Sequence, residues 1–115
     1  MPTNHKLGAL AAALAIALVI VGASWLARAG GKQAVHQKDK AFSATELTVK
    51  VGDSIEFKND DDVAHNVFST SEAQKFNTKI QPPGSSAEVT FVNEGTVQVR
   101  CAIHPQMKLT VHVEK

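Results

Sequence analysis

The stretch Thr96-Val97-Gln98-Val99-Arg100-Cys101-Ala102-Ile103-His104-Pro105-Gln106-Met107-Lys108-Leu109-Thr110-Val111-His112-Val113 decides the fold. It contains two runs in which apolar and polar residues alternate, and alternation of this kind is the mark of half-buried strands. The inward parity of the first run carries Val97, Val99 and Cys101; that of the second carries Met107, Leu109, Val111 and Val113. Only residues 102–106 join the runs, so they are expected to lie side by side as antiparallel neighbours. The sulfurs of Cys101 and Met107 then face one interior at one end of the fold, with His104 in the loop between them.

The same pattern extends upstream. Leu47, Val49 and Val51 are followed by the turn residues Gly52-Asp53 and by Ile55 and Phe57, with Glu46, Thr48, Lys50, Glu56 and Lys58 on the opposite parity, which predicts a hairpin with one wet face. Val89 and Phe91 continue it, and Pro82-Pro83-Gly84 and Asn93-Glu94-Gly95 supply turns. A strand is expected over Val63 to Ser69, with Val63, His65 and Val67 inward. Thr70 to Ile80 has no period and reads as a loop or a short helical turn. Residues 30–40, GGKQAVHQKDK, are polar and aperiodic and read as a linker, either a tether or a frayed first strand, in which His36 is solvated. Short alternating strands with no sustained helical period place residues 41–115 in the all-β class, as an antiparallel β-sandwich.

The 115 residues divide unevenly. Positions 7–27 hold 18 apolar side chains in 21, preceded by Lys6 as the one formal cation. This is an export element, expected to be helical: a signal peptide ending at Ala27-Arg28-Ala29, so that residues 1–29 are removed, or a membrane anchor through residues 7–27. Either way the body is delivered outside the cytoplasm, to the periplasm or the outer face of the membrane. From Gly30 onward ten basic residues face eleven acidic ones, and the whole chain has a formal charge of +1, which gives no field for holding nucleic acid. Cys101 is the only cysteine, so in an oxidising compartment it cannot close an internal disulfide, and something else must account for it.

Taken one at a time, an inward cysteine is a small hydrophobe, a methionine fills gaps, and an inward histidine is a hydrogen-bonded core residue. The combination is different. Cys101-x-x-His104-x-x-Met107 between two strands, with His65 inward on another segment, is a His₂Cys set with a weak thioether, which suits copper; zinc accepts His₂Cys but has little use for a thioether. A multicopper oxidase or nitrite reductase is not expected, because the chain has no His-x-His pair.

Residues 41–115 resemble the cupredoxins, the type 1 blue copper proteins. The stretches that carry the resemblance are Val51-Gly52-Asp53-Ser54-Ile55-Glu56-Phe57, Ala64-His65-Asn66-Val67, Pro83-Gly84 and Cys101-Ala102-Ile103-His104-Pro105-Gln106-Met107. The two-residue gap from His104 to Met107 is similar to the short ligand loop of the amicyanin subgroup. The resemblance implies a Greek-key β-sandwich with one type 1 copper. His65, Cys101 and His104 would be its equatorial ligands, Met107 its long axial one, and Asn66 the residue tying the two ligand segments together. It implies a monomeric electron carrier, not an enzyme, working between redox proteins as donor and acceptor, by analogy an amine dehydrogenase and a c-type cytochrome. The alternative is a copper-binding protein for storage, buffering or delivery. Two positions depart from the family pattern: Arg100 stands where relatives have an aromatic residue, and Ala102 replaces a hydroxyl residue, leaving the tie to Asn66 to the backbone. Asp60, Asp61 and Asp62 read as a solvated turn or a docking feature for a cationic partner.

Overall fold

The computed structural model describes residues 31–115; the leader expected over residues 1–29 lies outside them. The described residues form nine strands: β1 (Lys32–Lys38), β2 (Ala41–Phe42), β3 (Glu46–Lys50), β4 (Ser54–Asn59), β5 (Phe68–Ser69), β6 (Phe76–Asn77), β7 (Ser86–Thr90), β8 (Gly95–Arg100) and β9 (Lys108–Glu114). They make a four-stranded sheet in the order β2-β1-β4-β7 and a five-stranded sheet in the order β3-β9-β8-β5-β6. Between the sheets lies one core, built from the inward parity of the longer strands. It includes Val35, Val49, Ile55, Phe57, Val97, Val99, Leu109, Val111 and Val113, together with Phe91. Phe57 sits at its centre, edge-on to Phe42 and stacked with Phe76, which meets Phe91 edge-on. Fully burying each such side chain contributes about 1.5–3 kcal/mol.

The all-β sandwich is as expected, but the sheets are mixed: β1 runs parallel to β4, and β3 parallel to β9, while the remaining pairs are antiparallel. The expected β3–β4 hairpin does not form. Its turn exists, with Gly52 at φ 96° and the Asp53 amide donating to the Lys50 carbonyl at 2.9 Å. The chain, however, passes through the turn from one sheet to the other, since β3 pairs with β9 and β4 with β1 and β7. Alternation fixes which face of a strand is buried and is silent about its partner. Asp53 closes the turn, its two carboxylate oxygens accepting from the amides of Lys50 and Gly31, both at 2.9 Å.

The linker expected at 30–40 is corrected in favour of its other reading, a first strand. Residues 32–38 are β1, in register with β4 from Lys32 opposite Ser54 to Gln37 opposite Asn59. Val35 and Gln37 are fully buried. The strand was hidden because one of its two buried residues is an amide rather than an aliphatic side chain. His36 is not free in solvent: its Nδ1 meets the Asp60 carboxylate. Of the strand expected over Val63 to Ser69, only Phe68–Ser69 pairs as a strand; His65 makes an isolated bridge to Gln81. Within the aperiodic stretch from Thr70 to Ile80, Phe76–Asn77 forms the edge strand β6.

Candidate metal centre

Cys101 follows directly on β8 and Met107 directly precedes β9, so the antiparallel β8–β9 pair, whose last rung is Arg100 opposite Lys108, holds both at one end of the sandwich. Both side chains are buried, each 1% exposed. The loop between them closes with the Met107 amide donating to the His104 carbonyl at 3.0 Å. His104 is half-buried, while Ala102, Ile103 and Pro105 around it are exposed. His65 arrives from the other side and is completely buried.

Three donors converge here. Cys101 Sγ lies 3.8 Å from His65 Nδ1 and 4.0 Å from His104 Nδ1, and the two ring nitrogens are 3.0 Å apart. Three donors set trigonally about one ion at N and S bond lengths of about 2.0–2.3 Å would stand roughly 3.5–3.8 Å apart, so this triangle fits a single small ion. Two imidazoles and one sulfur form a borderline-soft set of the kind that copper takes. Met107 shares the same buried end.

The surroundings orient the donors. The Nε2 of His65 bonds to Asp61 Oδ2 at 2.9 Å, which leaves Nδ1 as the lone-pair nitrogen turned toward Cys101. The Ala102 amide donates to Asn66 Oδ1 at 2.7 Å, joining the His65 segment to the Cys101 loop through the backbone. Asp61 departs from its sequence reading: it is buried, not solvated. Its carboxyl is held well below the ordinary carboxylate range, first by the Lys40 amide and then by His65 and the Asp62 amide, with desolvation opposing them. The i, i+4 spacing from Asp61 to His65 was the available signal, and it was obscured by two neighbouring aspartates. Asn59 and Gln81, which brace this region, carried no sequence signal at all. His112 lies at the surface, as its outward parity implied, paired with Glu46 at 2.7 Å.

Residues 29–114 match the family of copper binding proteins described as the plastocyanin/azurin family. The chain belongs to that family, and its cofactor is copper. It is 38% identical over 68 residues to the methylamine utilization protein MauL of Methylorubrum extorquens, a match covering 58% of this chain and 60% of MauL. An oxidized amicyanin mutant superposes with a TM-score of 0.67 at 27% identity, over 75% of this chain and 85% of that one. The copper-containing nitrite reductase of Thermus scotoductus gives a TM-score of 0.68 at 24% identity, over 73% of this chain and only 22% of the reductase, a likeness of fold alone.

Proposed function

We propose that this protein is an extracytoplasmic electron carrier whose single copper would be held by His65 Nδ1, Cys101 Sγ and His104 Nδ1, with Met107 offering a further, weak thioether donor. The observation that carries the reading is the donor triangle, already closed to 3.0–4.0 Å by the protein's own bonds. When bound, copper supplies a one-electron couple. The protein fixes its donors from two separate segments and shields them from water, so little rearrangement accompanies a change of oxidation state. His104 is the one donor residue not fully buried, and its ring edge, framed by exposed Ala102, Ile103 and Pro105, is the exit for the electron. No substrate needs to reach the metal, which makes the protein a carrier and not an enzyme.

The donor and acceptor are redox proteins in the periplasm. MauL is named for methylamine utilization, and by that likeness the donor is an amine dehydrogenase and the acceptor a c-type cytochrome. The test is to load the full chain with copper(II) and record its visible and paramagnetic resonance spectra. One copper per chain with an intense blue thiolate band, abolished in Cys101→Ser, is the expected result. Bound copper without colour, or copper that exchanges between proteins faster than electrons do, would replace the carrier with a storage or delivery protein.

A further inference from the structure

His65 differs from Cys101 and Met107, which adjoin β8 and β9, in having no strand next to it. Cys101 is the direct continuation of β8, whereas His65 belongs to no strand and makes only an isolated bridge to Gln81, with Asn66 accepting the Ala102 amide and the Val67 carbonyl accepting the Thr78 amide at 2.9 Å beyond it. That bridge is two backbone bonds, the Gln81 amide to the His65 carbonyl at 2.6 Å and the His65 amide to the Gln81 carbonyl at 3.1 Å. The His65 ring has its own anchor in Asp61. The backbone and the ring of His65 itself therefore depend on whatever holds Gln81 and Asp61.

Both are held by one buried side chain. Asn59, the last residue of β4 and fully buried, donates through Nδ2 to the carbonyls of Gln81 at 2.9 Å and Val63 at 3.0 Å, and accepts the Asp61 amide on Oδ1 at 2.9 Å. The Gln81 side chain, 3% exposed, adds a second hold: Nε2 donates to the Phe57 carbonyl at 3.2 Å and Oε1 accepts from Gln37 Nε2 at 3.1 Å. The direction of this chain of amides is forced. A carbonyl only accepts, so Gln81 turns its nitrogen to Phe57 and its oxygen to Gln37, and Gln37 presents its nitrogen in return. Gln37 Oε1 is left buried with no donor among the described residues. An aliphatic pair at these positions would bury no such group, so the amides make poor sense as packing alone.

We propose that Asn59 and Gln81 are positioning residues for His65, locking it to the β1–β4 sheet while Cys101 and His104 are carried by the β8–β9 sheet. The donor triangle is then set by the registration of one sheet against the other. This rests on the ligand set proposed above. Loosening His65 disfavours Cu(II), which needs its full ligand set, more than Cu(I), which tolerates fewer ligands.

The test uses the full chain loaded with copper(II), in Gln81→Leu, in the pair Gln37→Leu with Gln81→Leu, and in Asn59→Asp, which keeps the oxygen that accepts from Asp61 and loses both donations. Each variant should show a copper hyperfine splitting displaced from wild type, a raised reduction potential and a copper(II) affinity lowered roughly 10–100-fold in competition with a chelator. Denaturant unfolding of the copper-free proteins separates positioning from packing. The pair no longer strands the Gln37 amide, so it should be more stable than Gln81→Leu while its copper spectrum stays displaced. A spectrum and affinity that return to wild type along with stability, or that never move, overturn the proposal. If Gln81→Leu does not fold, the pair and Asn59→Asp decide on the same criterion. A wild-type chain that binds no blue copper defeats the ligand reading instead, and does so before any variant is made.

Discussion

Truncating Asn66 to alanine removes the side-chain-to-backbone bond that ties the His65 segment to the Cys101 loop. Asn66 Oδ1 accepts the Ala102 amide at 2.7 Å, and Asn66 is 7% exposed, so the bond is short and largely dry on the acceptor side. A net hydrogen bond contributes about 0.5–1.5 kcal/mol, and a donor stranded in the interior costs about 1–3 kcal/mol. Ala102 is itself exposed, so water can reach its amide once the asparagine is gone, which places the loss at about 1–1.5 kcal/mol. For a domain of this size that corresponds to a fall in Tm of roughly 4–12 °C. The assay is thermal unfolding of the copper-free protein followed by circular dichroism, with Asn66→Asp beside Asn66→Ala. Aspartate keeps the accepting oxygen and should hold most of the lost stability. An alanine variant melting within about 2 °C of wild type, or an aspartate variant melting as low as alanine, would show that this bond does not secure the loop.

Met107→Gln should lower the reduction potential measured by voltammetry, since a harder amide oxygen in place of the thioether favours Cu(II) over Cu(I); an unchanged potential would leave Met107 as core alone. Asp61 has its folded pKa depressed, by the Lys40 amide first and His65 second, so its stabilisation is complete at neutral pH and is lost as pH falls through and below the ordinary carboxylate range, near roughly pH 4. Asp61→Asn should flatten that acid limb in denaturant melts taken across pH, and an acid limb identical to wild type would contradict the assignment. Phe57→Ala removes the centre of the aromatic cluster and should cost about 3–5 kcal/mol, a large share of the total stability of a small domain, about 5–15 kcal/mol; guanidinium unfolding of the copper-free protein measures it.

What could be read from the sequence was whatever depends on local alternation. The inward parity of Cys101 and Met107, and the loop that brings His104 back beside them, follow from strands whose side chains alternate and a connection too short to go elsewhere. Three things were not local. β1 is built on Val35 and Gln37, and a strand whose inward face is half amide shows no hydrophobic period. The Gly52-Asp53 turn looks the same whether the strands it joins pair with each other or part to opposite sheets; what decides is that β4 is claimed on both sides, by β1 and β7, and β3 by β9. Asp61 sits within three consecutive aspartates of which it alone is buried, and that selection is made by the Lys40 amide, 21 residues away in sequence. Partners distant along the chain leave no trace in a window of ten residues.

The parallel course of β1 beside β4 gives the domain a handle and a working end. Gly31, just ahead of β1, is pinned to Asp53 in the turn between the sheets, and the strand reaches the His65 side only at Gln37, at its far end. Seven residues of strand put roughly 20 Å between those points. A surface or a fused protein attached at Gly31 itself would hold the domain by the end of β1 away from His65. Grafting the domain to an electrode directly at Gly31 should therefore leave the His104 ring facing outward, free to meet soluble redox partners, and direct exchange with the electrode itself should be slow.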